Sequence, residues 1–352
     1  MLNRRQMFGW FFDIIFKISM ENSATRNSRH TILLSKKDKI RSMSIRDWFN
    51  SIPEAIPGYP TYKEIQLRHT MVIDAVKCGY VTYSWVPIEI SDSLTIFVTN
   101  DALQIGQEGD SIRFAMNTET QQKVADILDS YLPTTKIVDI IWKNSKKLLP
   151  NPQKISASKH AIYKHHKAIE KAKKDEEGLI SGWKDWCIGQ AVFKNKNKAI
   201  NYGWHVDTEK NNWMGIKLSP GVTEGKVIQP AASVHDIYHT DYSQLCRLVS
   251  KKALFNGVEV DLADIISESG LAYMISSDGT LDDMRHPGVP LGLKDIVTHP
   301  RITREGEKGP DVVKWQRFLI RAGYSDYLKP WGADGMHGKA TSRATEAWLR
   351  RK

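Results

Sequence analysis

Residues 311–323 read DVVKWQRFLIRAG and carry the clearest secondary-structure pattern in this chain of 352 residues. Val312, Trp315 and Leu319 recur at intervals of three and four residues, which is the spacing of one face of an α-helix. Gly323 follows at the position where a left-handed residue ends many helices. The stretch therefore predicts an amphipathic helix that ends at this glycine.

The residues after this helix predict a second helical segment. Asp334 and Gly335 form an Asp-Gly pair, which is typical of a tight turn. Gly338 begins another helix, whose apolar stripe includes Trp348. We therefore expect residues 301–352 to form a small all-α domain of three helices.

The same residues resemble the peptidoglycan-binding domain family over residues 302–352. The family pattern has a glycine, Asp-Val, an aromatic residue or Leu before Gln, and a glycine that ends the helix. An Asp-Gly turn, another glycine, a Thr and a small residue follow. The family usually has Phe where this chain has His337 and Trp348. The matching residues are Gly309, Asp311, Val312, Trp315, Gln316, Gly323, Asp334, Gly335, Gly338, Thr341 and Ala344.

This resemblance implies a function at the bacterial cell wall. We expect the C-terminal domain to bind peptidoglycan, with Trp315, Trp331 and Asp334 as substrate-binding residues. A second resemblance covers residues 44–287, which are similar to uncharacterised bacterial and phage proteins, some of which carry a wall-binding domain. The shared words are Arg46-Asp47-Trp48, Leu132-Pro133-Thr134-Thr135, Tyr202-Gly203-Trp204-His205, and His235 before Asp241-Tyr242-Ser243.

The composition is that of a basic protein that is long enough for two domains. The chain has 50 Lys and Arg against 40 Asp and Glu, which gives a formal net charge of +10. This charge favours negatively charged partners, and we expect anionic envelope polymers beside peptidoglycan. We expect no specific nucleic acid, because no zinc finger or aromatic-basic RNA motif is present. Cys78, Cys187 and Cys246 lie in apolar surroundings without a CxxC pair, which predicts free thiols.

Residues 1–42 form a basic N-terminal segment that is predicted to be signal-like or disordered. An apolar run follows Arg4 and Arg5, but it is too short to span a membrane and lacks a small-residue cleavage site. The sequence offers three candidate translation starts, Met1, Met20 and Met43. We predict no transmembrane span. We expect the protein at the cell envelope or outside the cell, or in the cytoplasm before release if a phage encodes it.

Residues 43–300 are predicted to form an α+β main domain. Helical and strand patterns interleave irregularly, which differs from the regular alternation of a parallel α/β fold. Thr134 or Thr135 is expected to cap a helix, and residues 157–175 are expected to form a charged helix or lid. Another helix is expected to begin at Thr240 or Asp241.

Chemically reactive side chains are concentrated in residues 201–205 (NYGWH) and residues 235–244 (HDIYHTDYSQ). Few other stretches combine so many titratable and nucleophilic groups. The candidate catalytic residues are His205, His235, Asp241 and Ser243. The candidate substrate-binding residues in this region are Tyr202, Trp204 and Tyr242.

Three chemical arrangements remain open at this stage. His205, His235 or His239, and Asp241 would bind Zn²⁺ with one position left for water. Ser243 would be a nucleophile at a helix N-terminus, with a histidine as its base. Asp241 and a neighbouring acid would act on a glycosidic bond. The alternative for all of these residues is a structural role, such as Asp241 capping a helix.

The sequence therefore predicts a lysin-like protein that binds peptidoglycan and hydrolyses it, with the cleaved bond unspecified. Two other functions remain open. One is that of a wall-binding protein without enzymatic activity, and the other is that of a basic nucleic-acid-binding protein. Digestion of isolated walls distinguishes the lysin-like protein from the wall-binding protein without activity, and binding to DNA identifies the nucleic-acid-binding protein.

Overall fold

The computed structural model describes residues 35–54, 61–148, 152, 154, 156–174, 178–291 and 299–350. The chain divides into two compact units, Met1–Lys39 and Ile40–Lys352, and the second contains the sites discussed below. The predicted signal-like run of the N-terminal segment lies outside the described residues. Among the described helices, none combines the length and the apolar character that a membrane crossing requires.

The helices of the described residues alternate irregularly with the strands. Their bounds are α1 (Lys36–Arg41), α2 (Ile45–Ser51), α3 (Tyr62–Lys77), α4 (Thr118–Ile127), α5 (Thr135–Asn144), α6 (Lys159–Lys173), α7 (Gln190–Lys194), α8 (Leu262–Ser267), α9 (Pro310–Leu319), α10 (Ser325–Leu328) and α11 (Lys339–Leu349). A 3₁₀ turn spans Ala272–Met274, and a π-helical turn spans Ile320–Tyr324.

The strands are short. Their bounds are β1 (Val81–Thr82), β2 (Trp85–Ser91), β3 (Leu94–Thr99), β4 (Gln104–Gln107), β5 (Asp110–Arg113), β6 (Ser130–Tyr131), β7 (Lys146–Lys147), β8 (Ile180–Ser181), β9 (Lys184–Cys187), β10 (Ile200–Val206), β11 (Asn212–Trp213), β12 (Ile216–Lys217), β13 (Ser219–Pro220), β14 (Lys226–Ala232), β15 (Val249–Ser250), β16 (Lys252–Phe255) and β17 (Val258–Asp261).

Most of these strands pair in antiparallel sheets. The largest sheet has the order β17-β16-β3-β15-β6, with β2 also paired to β3. A second sheet has the order β13-β14-β10-β9, and a third has the order β1-β4-β5. The pair β7–β8 is parallel. Antiparallel sheets with interspersed helices confirm the predicted α+β class.

Local sequence signals explain several of these boundaries. The hydroxyl of Thr134 accepts a hydrogen bond from the Ile137 N–H at 3.1 Å and caps α5, as the sequence predicts. The carboxylate of Asp261 caps α8 in the same way. The predicted hairpin turn at Asn256 and Gly257 joins β16 to β17. The Thr134 cap is thus predicted correctly, because its signal is local.

The described residues form two hydrophobic clusters. The large cluster joins the sheets to helices α2 to α6 and α8. The small cluster lies among the C-terminal helices and centres on Trp315, Phe318, Leu319 and Trp348. The indole of Trp315 donates a hydrogen bond to the Thr345 hydroxyl at 2.9 Å, which satisfies its polar atom inside this core.

The C-terminal helices also contact the main body through two ion pairs, of which the one at Asp283 involves a fully buried acid. The Arg321 guanidinium donates to both carboxylate oxygens of Asp283, at 2.6 and 2.8 Å. It also donates to the Tyr131 hydroxyl at 3.1 Å. Arg317 donates to the Asp264 carboxylate at 2.6 Å. These contacts hold the C-terminal helices against the body, in contrast to a module on a free linker.

Two predictions of local structure are wrong. Residues 241–248 contain no helix, so neither Thr240 nor Asp241 caps one there. The expected charged helix exists as α6. His165 and His166 lie among lysines in the sequence, which predicts solvent exposure, but both are buried on the inner face of α6. Burial of these rings follows from their positions beside Ile162 and Ile169 on one side of the helix.

Candidate functional site

His205, the first candidate catalytic residue, is buried on β10 beside an acid from α5. Its Nε2 atom lies 2.7 Å from Oδ1 of Asp139, and its ring stacks on Trp142 with the centroids 5.2 Å apart. The Tyr202 hydroxyl donates to the same oxygen of Asp139 at 2.6 Å. Both His205 and Asp139 are at most 2% exposed. A polymer therefore has no access to this pair in the structure.

The second oxygen of Asp139 anchors the loop before β14. It accepts hydrogen bonds from the Thr223 N–H at 2.5 Å, the Thr223 hydroxyl at 2.8 Å and the Glu224 N–H at 3.3 Å. Burial acts to raise the pKa of Asp139, but hydrogen bonds from His205, Tyr202 and Thr223 outweigh it and lower the pKa. A charged, fully hydrogen-bonded carboxylate of this kind fixes the loop, so we interpret the pair as structural.

The proposed zinc ligands are not brought together. The N–H of Ala199, at the start of β10, donates to the carbonyl of His235, whereas His205 is six positions further along that strand. At about 3.3 Å per residue, the two histidines are separated by on the order of 20 Å. Among the described residues there is no group of three or more His, Cys, Asp or Glu side chains that could hold a metal ion. A zinc site that includes both His205 and His235 therefore does not fit this geometry.

Asp241 is buried in a polar network that explains the turn at residues 241–244. Its Oδ1 atom accepts from the Ser243 N–H at 2.8 Å and from the Ser243 hydroxyl at 2.5 Å. Its Oδ2 atom accepts from Lys184 at 3.0 Å and from the Gln244 amide at 3.1 Å. Burial opposes ionisation, but Lys184 and the Ser243 hydrogen bonds lower the pKa of Asp241. Ser243 is fully buried and not at a helix N-terminus, so the nucleophile hypothesis loses its basis.

His235 and His239 form the part of this cluster that faces solvent. Their rings are stacked, with centroids 3.7 Å apart and an interplanar angle of 10°. The Trp186 ring meets both of them edge-on, at 6.3 and 6.4 Å. Both histidines are half-buried. This stacked pair is partly accessible to solvent, in contrast to the buried His205, Asp241 and Ser243.

The electrostatic surroundings keep the stacked pair neutral near pH 7. Burial lowers the pKa of His235, and the positive charge of Lys184 lowers it further. Burial also lowers the pKa of His239, and the neighbouring His235 adds to this effect. A neutral imidazole can accept a proton from water or a hydroxyl, so the pair has the chemistry of a general base.

The candidate substrate-binding aromatics of the main body are buried. Tyr202, Trp204 and Tyr242 are exposed by 0%, 5% and 2%. Lys184 lies 5.6 Å from the centroid of the Trp204 ring, and His165 meets Tyr242 edge-on at 5.1 Å. Trp204 and Tyr242 pack on each other beside Lys184, and Tyr202 contacts Asp139, so the predicted contact of these rings with a polymer is not supported.

A separate groove lies on the C-terminal helices, and we call it the C-terminal groove. It has a volume of about 500 Å³. Trp331 lines it and is 68% exposed, and Met336 lines it and is 52% exposed. Other lining residues are Gln316, Leu328, Asp334, His337, Thr341 and Arg343.

Gln316 holds the turn at the edge of this groove. Its amide nitrogen donates to the Asp334 carboxylate at 2.8 Å and to the Thr341 hydroxyl at 3.0 Å. Its amide oxygen accepts from the Gly335 N–H at 2.8 Å. The Asp-Gly turn is therefore fixed by a glutamine from α9. Trp315 is fully buried, so of the three predicted wall-binding residues only Trp331 and Asp334 line the groove.

Sequence reasoning missed two members of these networks. Asp139 was considered only as part of the predicted helix, although it lies on the inner face of α5 among apolar neighbours. An acid on the apolar face of a predicted helix is a signal in the sequence, because a buried acid needs hydrogen-bonding partners. From the sequence, Lys184 in the stretch GWKDW (residues 182–186) could lie near the site but more simply forms a surface ion pair, whereas it pairs with Asp241 inside the protein.

Comparisons with known proteins returned no match. No family model matches the chain, and neither a curated protein nor a solved structure is significantly similar to it.

Proposed function

We propose that this protein binds peptidoglycan through the C-terminal groove. The observation that carries the proposal is Trp331, a large aromatic side chain that is 68% exposed at the edge of a concave surface. Exposed aromatic faces beside polar groups are suited to contact with sugar rings, which have apolar faces and hydroxyl edges. Asp334 and Arg343 supply polar groups at the same groove.

The resemblance of residues 302–352 to peptidoglycan-binding domains supports this proposal. The residues that carry the resemblance have clear structural roles here, since Gln316 fixes the Asp334-Gly335 turn and Gly323 has a left-handed φ of 94°. We propose that residues 301–352 are a three-helix wall-binding domain. On this proposal the protein functions at the cell envelope or outside the cell.

Trp331→Ala is expected to weaken binding to purified cell-wall sacculi by about tenfold or more, because a central aromatic anchor often contributes over 1.4 kcal/mol. The fold should be unchanged, because the side chain is mostly exposed. Co-sedimentation with sacculi measures the affinity. Tyr327→Ala is the matched control, since Tyr327 is also exposed on the C-terminal helices but does not line the groove. Equal loss in both variants, or no loss in Trp331→Ala, would reject the groove as the binding site.

We propose wall hydrolysis as a second activity, at the stacked pair His235 and His239. The specific observation is that these neutral rings are accessible and adjoin the charged Lys184–Asp241 pair. A neutral histidine would activate water as a general base, and the Lys184 charge would favour a developing negative charge nearby. The bond that is cleaved remains open.

Replacing His235 and His239 together by Ala is expected to reduce the release of wall fragments by at least about a hundredfold, because general bases contribute about 10²–10⁴ in rate. Activity of the unchanged protein should also fall as the pH drops and the pair is protonated. Mass analysis of soluble fragments from digested sacculi measures both effects. His160→Ala is the control, because His160 is exposed elsewhere on α6. Fragment release that persists in the double variant, or is absent in the unchanged protein, would favour a wall-binding protein without this activity.

A further inference from the structure

An open cleft of about 1220 Å³ lies on the main body. It is distinct from both the C-terminal groove and the histidine pair. Its walls come from α2, the β4–β5 hairpin and α6. We call it the α2–α6 cleft, and its lining includes Arg46, Tyr83, Asn100, Glu108, Tyr163 and Lys167.

Both signs of charge line this cleft, and several of the charges form no ion pair with the residues that the structure describes. Glu170 pairs with the buried Arg113, and Lys173 lies 3.9 Å from the Asp101 carboxylate. Arg46, Glu108 and Lys167 form no ion pair with any residue that the structure describes. Unpaired acids and bases that face one cleft are available to pair with the charges of a ligand.

The unpaired charges are presented by ordered elements. Glu108 and Gly109 form the two-residue turn between β4 and β5, and Gly109 has a φ of +77°, which glycine adopts without steric cost. Lys167 is on the exposed face of α6, whose inner face is anchored by Ile162 and Ile169. The ammonium of Lys167 lies 5.9 Å from the centroid of the Tyr163 ring, which is 45% exposed. The cleft therefore has a defined arrangement of acid, base and aromatic surface.

The geometry points to a short zwitterionic peptide as the occupant of this cleft, and under the proposed wall-binding function we propose that it is the peptide stem of peptidoglycan. A stem peptide carries free carboxylates, amide groups and, in many walls, an amine. Arg46 and Lys167 match the carboxylates, Glu108 matches the amine, and Asn100 matches the amides. Glycan strands freed of peptide carry lactyl carboxylates but offer no amine to pair with Glu108, and a polyanion would be repelled by Glu108.

The test separates the two components of the wall. An amidase divides sacculi into peptide-free glycan strands and soluble stem peptides, and calorimetry measures the binding of each to the full chain. We expect the peptides to bind, with an affinity that falls as salt rises, because the contacts are ion pairs. Replacing Glu108 and Lys167 together by Gln is expected to weaken peptide binding by at least about tenfold, since each charged contact is worth more than a neutral one.

Lys164→Gln is the matched control, because Lys164 is exposed one turn earlier on α6 and does not line the cleft. It should bind peptide as the unchanged protein does. Trp331→Ala should lose affinity for the glycan strands and keep its affinity for the peptide. A double variant that binds peptide normally overturns the assignment of the cleft.

The remaining outcomes distinguish this inference from the proposed function. If the unchanged protein binds glycan strands but not peptides, the cleft assignment fails and glycan binding at the C-terminal groove stands. If it binds peptides through Glu108 and Lys167 but not glycan strands, the cleft assignment stands and the groove proposal fails. If it binds neither component, both are overturned.

Discussion

Asp283→Ala should destabilise the protein by about 3–5 kcal/mol, because it leaves a charged arginine without its buried partner. The Asp283 side chain is fully buried and accepts two hydrogen bonds from Arg321. Burial acts to raise the pKa of Asp283, but the Arg321 charge outweighs it and lowers the pKa, so the carboxylate is ionised at neutral pH. Urea unfolding monitored by tryptophan fluorescence measures the loss.

Asp326→Ala is the control for this experiment. Asp326 also joins the C-terminal helices to the main body, through an ion pair with Lys196, but both side chains are largely exposed. Exposed pairs contribute about 1 kcal/mol or less, so its removal should change little. If Asp283→Ala is no more damaging than Asp326→Ala, the buried pair does not stabilise the attachment of the C-terminal helices.

The attachment of these helices shows a limit of sequence reasoning. The amphipathic stripe of α9 predicted its own core, and Trp315, Leu319 and Trp348 are buried as expected. The stripe did not predict the contacts of the polar face, where Arg317 and Arg321 meet the main body. Arginines on a helix surface usually face water, and the sequence alone does not show which ones meet a distant acid.

The same limit explains the corrections at the candidate site. Structurally important positions are occupied by two stretches, Tyr202 to His205 and Asp241 to Ser243. This explains why the two stretches are conspicuous in the sequence. Their partners, Asp139 and Lys184, are more than fifty positions away from them in the chain. Periodicity and capping signals report local structure, whereas partners that are distant in sequence are set by tertiary packing.

The two proposed ligand surfaces are suited to different components of the wall. The C-terminal groove presents Trp331 and is suited to sugar rings, whereas the α2–α6 cleft presents unpaired charges and is suited to peptides. Binding both components of one polymer would raise the local concentration for the second contact. The attachment through Arg317 and Arg321 would then fix the distance between the two contacts.

Stability should fall steeply as the pH is lowered from about 6 to about 4. Burial is the main cause that lowers the pKa of four histidines, to about 3 for His69 and about 4 for His165, His166 and His286. Each remains neutral in the folded protein and is protonated in the unfolded chain below pH 6.5, so its stabilising effect is lost as the pH falls. Burial raises the pKa of Asp185 to about 7, which has the opposite effect in this window.

On unfolding in this window, the four histidines take up protons and Asp185 releases one, so these five groups alone account for a net uptake of about three protons. This corresponds to on the order of 4 kcal/mol per pH unit, which would exhaust a typical folding free energy of about 5–15 kcal/mol before pH 4. Urea unfolding at a series of pH values measures the slope. His69→Gln should reduce the slope by about one proton, and His160→Gln, at an exposed position, should leave it unchanged. Histidines that are buried in neutral form must lower the folding free energy in this range, because only the unfolded chain takes up their protons. A folding free energy that stays constant from pH 7 to pH 5 would therefore show that these histidines are not buried in neutral form.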